Sequence, residues 1–169
     1  MSIDWQGMVE RFDYGHIYHL IILPFYNEPE EVVHASLESL AQSRYDHKSL
    51  IIVLACEARA GEGARLLAER MKEKWGDAFG YFHVSVHPAD IEGEMAGKGS
   101  NATWAAEEVR RNVLDSHGIR YNHVLVSIFD IDTVVYPDYF NCLVWHFMTA
   151  ARPLKSSFQP VPLFNNNMW

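Results

Sequence analysis

The sequence predicts an α/β domain with a mostly parallel sheet and flanking helices, and three observations support this fold class. Apolar runs alternate along the chain with segments whose apolar residues recur at helical spacing. The strongest run, from Val124 to Phe129, is apolar apart from Ser127, which is typical of a strand buried on both faces of a parallel sheet. The linkers between segments are short, as expected when strands and crossover helices follow one another directly.

The first half of the chain contains two strand–helix units. Residues 17–23 form the first predicted strand, and we expect Pro24 to end it because proline cannot donate to the ladder. Asn27 is then predicted to cap a helix, with Glu30 as its capping-box partner. The remaining signals are a strand at residues 50–54 and helix faces formed by Val33, Leu37 and Leu40 and by Leu67, Met71 and Trp75.

The second half repeats the pattern. Residues 81–87 alternate as a third strand, and a polar loop at residues 88–99 leads to a helix that begins near Ser100. The fourth strand is the apolar run that ends in Asp130. Pro137 opens a helix that is apolar nearly all round, so we expect that helix to pack against sequence outside this chain.

These elements divide the chain into an N-terminal extension at residues 1–16 and one domain at residues 17–169. Residues 156–159 predict the start of a fifth strand. The ending at Trp169 has neither a cap nor a closing helix, so we expect the domain to be C-terminally incomplete.

Composition disfavours several classes of partner. The chain has 169 residues, a formal net charge of −8 and a pI near 5.5, which argues against capture of nucleic acid or anionic lipid by the whole surface. Cys56 and Cys142 lie far apart in apolar contexts, and we interpret them as reduced thiols of a cytoplasmic segment. The N-terminal residues show no signal-peptide pattern, and the longest apolar stretches fall short of the ~20 residues that span a membrane.

Two carboxylates follow the fourth strand with one residue between them. Ligands of open α/β sheets bind outside the carboxyl ends of the strands, and Asp130 and Asp132 project to one side if the extended geometry continues. Such oxygen ligands suit Mg²⁺ or Mn²⁺, which often join protein carboxylates to substrate phosphates. We therefore predict a metal site here; the alternative is a solvated turn that Asp132 caps.

Polar residues from the other strand ends converge on the same edge if the sheet is parallel. Lys98 lies between two glycines and before Ser100, which lets a backbone and a helix N-terminus approach a phosphate closely. The spacing is not that of a Walker A loop. Lys98 is therefore predicted to contact a phosphate, and the alternative is a flexible surface lysine. Glu57 follows the second strand and either accepts a hydrogen bond from a base or ribose or is a solvated glutamate. Asn27 and Glu28 follow the first strand and either contact a nucleotide or simply cap the helix.

The spacing of the nine histidines does not match that of zinc ligands. The pairs His16/His19 and His83/His87 lack a third ligand at a useful spacing, so we interpret them as solvated or core-edge imidazoles. The sequence also lacks the G-x-S-x-G, H-E-x-x-H and G-x-G-x-x-G motifs, which disfavours hydrolases, zinc proteases and standard dinucleotide-binding proteins.

Four pieces of the sequence occur in a specific order between about Ile17 and the end of the chain. They are Leu23-Pro24-Phe25-Tyr26-Asn27-Glu28, Gly97-Lys98-Gly99-Ser100-Asn101, Phe129-Asp130-Ile131-Asp132 and Pro137-Asp138-Tyr139. With these pieces the chain resembles the nucleotide-binding half of a family-2 glycosyltransferase with a GT-A fold. The resemblance implies inverting transfer of a sugar from a nucleoside-diphosphate donor, with a UDP-sugar expected, to a glycan or lipid acceptor, with Mg²⁺ or Mn²⁺ as cofactor.

The same resemblance assigns roles to residues of this chain. Residues that follow the first two strands would hold the nucleoside, and Lys98 would contact the nucleotide or its diphosphate. Asp132 is expected to be the main metal ligand because it lies further from the strand, with Asp130 nearer the ribose and sharing the metal. The implied nucleotide-binding set is Pro24, Tyr26, Asn27, Glu28, Glu57, Lys98, Asn101 and Asp130.

The chain departs from the family pattern in two ways. It has Ala55-Cys56-Glu57 where the family usually has aspartates, and it offers no catalytic base before Trp169, so this segment alone is expected to lack the base. The resemblance implies a base beyond Trp169 and a parent protein at the cytosolic face of a membrane, attached through other parts of the parent chain. One alternative is a nucleotidyltransferase-type enzyme, whose glycine- and arginine-rich loop is absent at residues 24–28, and the other is a non-catalytic nucleotide-binding domain.

Overall fold

The computed structural model describes residues 3–89, 91–95 and 97–160. Within these ranges four parallel strands form one sheet flanked by helices, so the predicted α/β fold is confirmed, with a Rossmann-like arrangement. The strands are β1 (Tyr18–Phe25), β2 (Leu50–Glu57), β3 (Tyr81–His87) and β4 (Val124–Ile128). The α-helices are α1 (Trp5–Val9), α2 (Glu30–Ala41), α3 (Glu62–Trp75), α4 (Lys98–Val109) and α5 (Tyr139–Thr149).

The chain reverses its direction across the sheet once, at β1. The strand order is β3-β2-β1-β4, so the chain moves outward from β1 to β3 and then returns to the other side of β1. α2 and α3 pack on one face during the outward path, whereas α4 packs on the opposite face during the return. Right-handed crossovers require this change of face. The crevice outside the carboxyl ends of β1 and β4 is therefore a topological switch point, where open α/β sheets bind ligands.

Two apolar clusters hold the helices to the sheet. The larger cluster joins β1 and β2 to α2, α3 and α5 and contains the fully buried Ile21, Ile52 and Phe140. The smaller cluster joins the opposite side chains of the same strands, among them Ile22 and Val53, to α4. Full burial of one such aliphatic side chain typically contributes about 1.5–3 kcal/mol. Burial on both faces fixes the register that brings the strand ends to one edge.

β1 extends one residue beyond Pro24, so the prediction that Pro24 ends this strand is wrong. Pro24 pairs in register with Ala55 of β2. On the other side, the last bond to the β4 segment runs from the Phe129 N–H to the Ile22 carbonyl at 3.1 Å. Backbone groups alternate in direction along a strand, so the nitrogen of Pro24 points to the same side as the carbonyl of Ile22. That side faces β4, whose ladder with β1 has already ended at this level. The missing N–H therefore removes no bond to β2.

β4 is an edge strand, and the prediction that its run is buried on both faces is wrong. Val126 is 57% exposed and Ile128 is 53% exposed. Among the described elements, α4 covers that face of the sheet, and it packs over β1, β2 and β3. An open groove of about 610 Å³ remains between α4 and β4. The apolar run thus forms an apolar surface at the sheet edge.

Three helices begin at positions that differ from those predicted. α5 begins at Tyr139, two residues after the Pro137 that was expected to open it. α2 begins at Glu30 after Pro29, and no side chain caps it, so the predicted cap and capping box at Asn27 are wrong. Pro29 suits a helix entry because its φ is fixed and it has no N–H to satisfy. α4 begins at Lys98 rather than near Ser100. Lys98 therefore belongs to the first turn of a helix.

α1 brings the N-terminal residues onto the domain core. Val9 is fully buried in the larger cluster, and Trp5 contacts Trp145 of α5 with ring centroids 5.6 Å apart. The expectation that α5 packs against sequence outside this chain is therefore wrong for its Trp145 side, which α1 contacts.

After α5 the described chain adds no strand to the sheet. Residues 156–159 have no regular structure, so the predicted fifth strand is wrong at these positions. The last nine residues of the predicted domain lie outside the described ranges. In the ranges that are described, no helix combines the length and the apolar character needed to cross a membrane.

His19 is a fully buried polar residue of the central strand β1. Its ring lies between Tyr45 and Phe140, with centroid distances of 4.6 Å and 4.7 Å. Neither ring nitrogen has a hydrogen-bond partner among the described residues. Burial lowers the pKa of His19 from 6.5 to about 3. The folded protein therefore holds this imidazole in its neutral form at neutral pH.

We expect His19 to make the protein less stable in mild acid. Because its folded pKa is depressed, its contribution is complete above the unfolded pKa of 6.5 and is lost as the pH falls toward 3. Between about pH 8 and about pH 5, the free energy of unfolding should fall by about 2 kcal/mol through this residue. His19→Phe keeps the ring packing and should remove that part of the pH dependence.

Urea unfolding at the two pH values measures this effect. His117→Gln, at an exposed position after α4, is the control. An acid sensitivity that His19→Phe leaves unchanged would contradict the prediction.

Candidate functional site

A cavity of about 510 Å³ lies at the switch point between β1 and β4. Its walls come from the carboxyl ends of β1 and β2, the start of α4 and the segment that follows β4. Its volume lies in the range typical of small-molecule sites. The lining residues are Pro24, Phe25, Tyr26, Glu28, Val32, Glu57, Lys98, Asn101, Asp130, Ile131 and Asp132.

Glu28 closes the tight turn by which the chain leaves β1. Its Oε2 atom accepts hydrogen bonds from the backbone N–H groups of Tyr26 at 2.7 Å and Asn27 at 3.0 Å. Tyr26 is exposed and lines the cavity, whereas Asn27 is exposed but does not line it. The turn thus presents an aromatic ring to the cavity and directs Asn27 elsewhere.

Glu57 and Arg59 form an ion pair on the β2 side of the cavity. Glu57 is buried at the end of β2, and its Oε2 atom accepts a hydrogen bond from Arg59 Nε. The Arg59 guanidinium lies 5.5 Å from the centre of the Tyr26 ring, and the Tyr26 hydroxyl donates to the Arg59 carbonyl at 3.3 Å. A buried carboxylate is costly without such a partner. Arg59 therefore supports both the acidic and the aromatic part of this wall.

The N-terminus of α4 forms the opposite wall. Lys98 is the first residue of this helix, and the Gly97 N–H donates to the Ser100 hydroxyl at 3.1 Å. A Cβ atom placed on Gly97 or Gly99 would meet none of the described atoms within 4 Å. The space in front of the helix is therefore open. Unpaired N–H groups and the helix dipole favour an anion in such a position.

Asp130 and Asp132 follow β4 and face the α4 wall. The Lys98 ammonium forms an ion pair with Asp130, and these side chains are 48% and 72% exposed. The Thr133 N–H donates to the Asp130 carbonyl at 2.9 Å, so the chain turns here and the extended geometry assumed for the two aspartates does not continue. Both aspartates nevertheless line the cavity. Among the described residues, Asp132 has no ion-pair partner.

Asn101 fastens α4 to the end of β2. Its Nδ2 atom donates to the Ala55 carbonyl at 2.8 Å, and the side chain is almost fully buried. Its Oδ1 atom is also buried and has no hydrogen-bond partner in the described part of the chain. Leaving a buried acceptor unpaired typically costs about 1–3 kcal/mol. Asn101 lines the cavity, but its Oδ1 atom is buried beneath the cavity surface.

The donor set fits a divalent cation that is held jointly with a phosphate. In the described ranges, no three His, Cys, Asp or Glu side chains group closely enough to hold a metal ion by themselves. Asp130 and Asp132 offer two carboxylates, and Mg²⁺ is usually held by one or two carboxylates together with substrate phosphates. Four carboxylates and one lysine line the cavity, so its walls favour a cation–diphosphate complex over a free diphosphate.

The cavity brings together most of the residues that the sequence singled out. Those that line it are Pro24, Tyr26, Glu28, Glu57, Lys98, Asn101, Asp130 and Asp132, and Asn27 lies outside. Their roles toward a ligand stay predictions. Sequence reasoning missed the apolar wall of Phe25, Val32 and Ile131, and it missed Arg59. Arg59 could have been found from the sequence, because a basic residue two positions after the strand-end Glu57 is close enough to pair with it.

No protein-family model matches the chain, and no curated protein matches it at a significant level. The resemblance to glycosyltransferases therefore rests on the sequence motifs alone.

The ion pair between Lys98 and Asp130 should contribute little to folding. Exposed ion pairs are typically worth 0–1 kcal/mol, so Lys98→Met should lower the free energy of unfolding by less than about 1 kcal/mol. Arg70→Met is the matched control, because it breaks a similarly exposed pair with Glu30 outside the cavity. Denaturant unfolding measures both variants. A loss above about 2 kcal/mol for Lys98→Met alone would identify a structural lysine.

Proposed function

We propose that the chain is the donor-binding part of a metal-dependent, inverting glycosyltransferase. The donor is a nucleoside-diphosphate sugar, with a UDP-sugar as the first candidate, and the acceptor is a glycan or a lipid. The observation that carries the proposal is the cavity at the switch point, which combines an exposed aromatic ring, a buried carboxylate, a lysine at a helix N-terminus and two aspartates. These groups match a base, a ribose, a diphosphate and a cation.

The nucleoside would occupy the wall formed by the ends of β1 and β2. The exposed ring of Tyr26 offers a surface on which a base can stack. Glu57 supplies a carboxylate acceptor for a base N–H or a ribose hydroxyl, since only its Oε2 atom is bonded to Arg59. Such an acceptor suits the N–H group of uracil.

The diphosphate would lie in front of α4. A phosphate oxygen there can replace Asp130 as the partner of Lys98, and the helix N–H groups provide further donors. Asp130 is then free for the ribose or for a cation. The ion pair thus keeps both side chains at the cavity, and in this proposal it exchanges partners on binding.

Asp130 and Asp132 are the residues that would hold the cation. A bound Mg²⁺ or Mn²⁺ supplies positive charge that offsets the charge growing on the departing diphosphate. Lys98 contributes to the same stabilisation from the helix side, because it is a preorganised donor close to the leaving group. The chain therefore offers both a carboxylate side for the cation and a basic side for the phosphates.

In the proposed transfer, the bond between the anomeric carbon and the diphosphate oxygen breaks, and its electron pair leaves with the diphosphate. The acceptor hydroxyl attacks the opposite face of the sugar, which inverts its configuration, and gives its proton to a general base. In this proposal the carboxylates that line the cavity bind the donor, apart from Glu28, which closes a turn. The described residues therefore account for donor binding and leaving-group stabilisation.

Binding of nucleotide and metal should be cooperative. In calorimetry with UDP, addition of Mn²⁺ should tighten binding, and Asp132→Asn should abolish that gain because it removes the carboxylate that has no ion-pair partner in the described chain. Asp77→Asn, an exposed aspartate in the turn after α3, is the matched control.

Equal affinity for UDP with and without Mn²⁺, in both the wild type and Asp132→Asn, would refute the metal-dependent site. A nucleotidyltransferase-type enzyme would prefer nucleoside triphosphates over UDP and UDP-sugars in the same titrations.

Lys98→Ala should weaken binding of the diphosphate but spare the nucleoside. A charge-assisted hydrogen bond is typically worth about 1.5–3 kcal/mol, so the affinity for UDP should fall by roughly one to two decades. The affinity for uridine should barely change, and Lys72→Ala on the exposed side of α3 is the control. If uridine and UDP lose affinity alike, Lys98 shapes the wall and does not bind phosphate.

A further inference from the structure

We propose that His87 is a positioning residue that holds Lys98 at the diphosphate subsite by fastening the loop that precedes α4. The inference rests on the proposed function, because it concerns the same cavity. His87 ends β3 and does not line the cavity, and the sequence predicts only a solvated or core-edge imidazole at this position. Its importance comes from the three elements that it joins.

His87 lies beside the candidate site. It pairs in register with Glu57, the cavity residue at the end of β2, and it is only 4% exposed. Its Nε2 atom lies 2.9 Å from Oε1 of Glu94, which belongs to the loop between β3 and α4. A carboxylate can only accept, so His87 carries a proton on Nε2 and donates it to Glu94. The loop is thus bonded to the sheet at Glu94 by a charge-assisted hydrogen bond.

The loop is also bonded to α4 at the next residue, Met95. The Glu94 N–H donates to the Ile91 carbonyl at 3.1 Å, which makes a turn around the residue that His87 holds. The Ser100 hydroxyl lies 3.1 Å from the Met95 carbonyl and also accepts from the Gly97 N–H. Lys98 lies inside this bonded stretch. Its backbone position therefore depends on both attachments.

His87 also contacts α4 directly. Its ring packs edge to face with that of Trp104, six residues after Lys98, with centroids 5.6 Å apart and planes at 79°. The Trp104 Nε1 atom is buried and has no hydrogen-bond partner in the described part of the chain. The contact with the His87 ring is therefore an aromatic one and not a hydrogen bond. One imidazole therefore joins the end of β3, the loop and the helix whose first residue is Lys98.

His83 provides a matched comparison. It lies four residues earlier on the same strand, and its Nε2 atom is 3.2 Å from Oε2 of Glu108 near the end of α4. This pair also links β3 to α4 through histidine and glutamate, but it does not touch the loop or the first turn of the helix. A substitution at His83 thus removes a similar bond without releasing Lys98.

If His87 acts through Lys98, its loss should affect the phosphates and not the nucleoside. His87→Leu should weaken binding of UDP by about fivefold to tenfold, part of the loss expected for Lys98→Ala, and change uridine affinity by less than about twofold. His83→Leu should change neither affinity by more than about twofold. His87→Gln should restore most of the affinity for UDP, because a glutamine Nε2 atom can donate to Glu94 in the same direction.

The test is a double-mutant cycle in calorimetry with UDP, uridine and Mn²⁺, combined with amide exchange of Glu94 and Gly97 measured by NMR. In the Lys98→Ala background, His87→Leu should cause no further loss of UDP affinity. In the ligand-free protein, exchange at Glu94 and Gly97 should speed up in His87→Leu and stay unchanged in His83→Leu.

Three results would overturn the inference: a UDP affinity that His87→Leu leaves within twofold of the wild type, equal losses for UDP and uridine, or additive losses with Lys98→Ala. A wild-type protein that binds no UDP would instead refute the proposed function. In that case, the amide exchange rates of Glu94 and Gly97 would test whether His87 positions the loop. Rates in His87→Leu that equal those of the wild type would reject the positioning role.

Discussion

Parallel pairing around β1 is the constraint on which the rest of the structure depends. Parallel neighbours cannot be joined by hairpins, so each connection must cross the sheet through a helix. The sheet grows outward on one side of β1 and then continues on the other, which places α4 on the face opposite α2 and α3. This topology alone brings the strand ends and the first turn of α4 to the crevice between β1 and β4, whatever specific contacts the side chains there make.

Much of the fold could be predicted because apolar runs and helical periodicity report burial within one element. β2, buried along its whole length, shows this pattern most clearly. The errors arise where a residue's environment depends on a distant segment. Pro24 is tolerated inside β1 because β4 has ended beside it, and Val126 and Ile128 are exposed because α4 lies over other strands. Neither relation can be read from the local sequence.

The candidate site could be predicted in outline for a similar reason. Strand-end residues such as Asp130 and Asp132 are placed by topology, so their convergence followed from a parallel sheet alone. Their partners could not be predicted, because they depend on the path of loops across the edge. Arg59 returns to Glu57 after β2, and His87 bonds to a loop glutamate seven residues ahead. The Arg59 pairing also offsets the charge of Glu57 at the acidic cavity, which composition alone describes only as a net charge.

Pro24 also defines where the crevice opens. In a regular parallel ladder, the next bond after that between Phe129 and Ile22 would run from the N–H of residue 24 to the Phe129 carbonyl. Proline has no hydrogen to give, so this bond is absent and the ladder between β1 and β4 ends there. Phe129 is followed at once by Asp130 and Asp132, which lie in a turn at the cavity. The N–H that Pro24 lacks would carry the ladder one bond further toward the cavity, and an amino acid with an N–H at this position could donate that bond to the β4 segment.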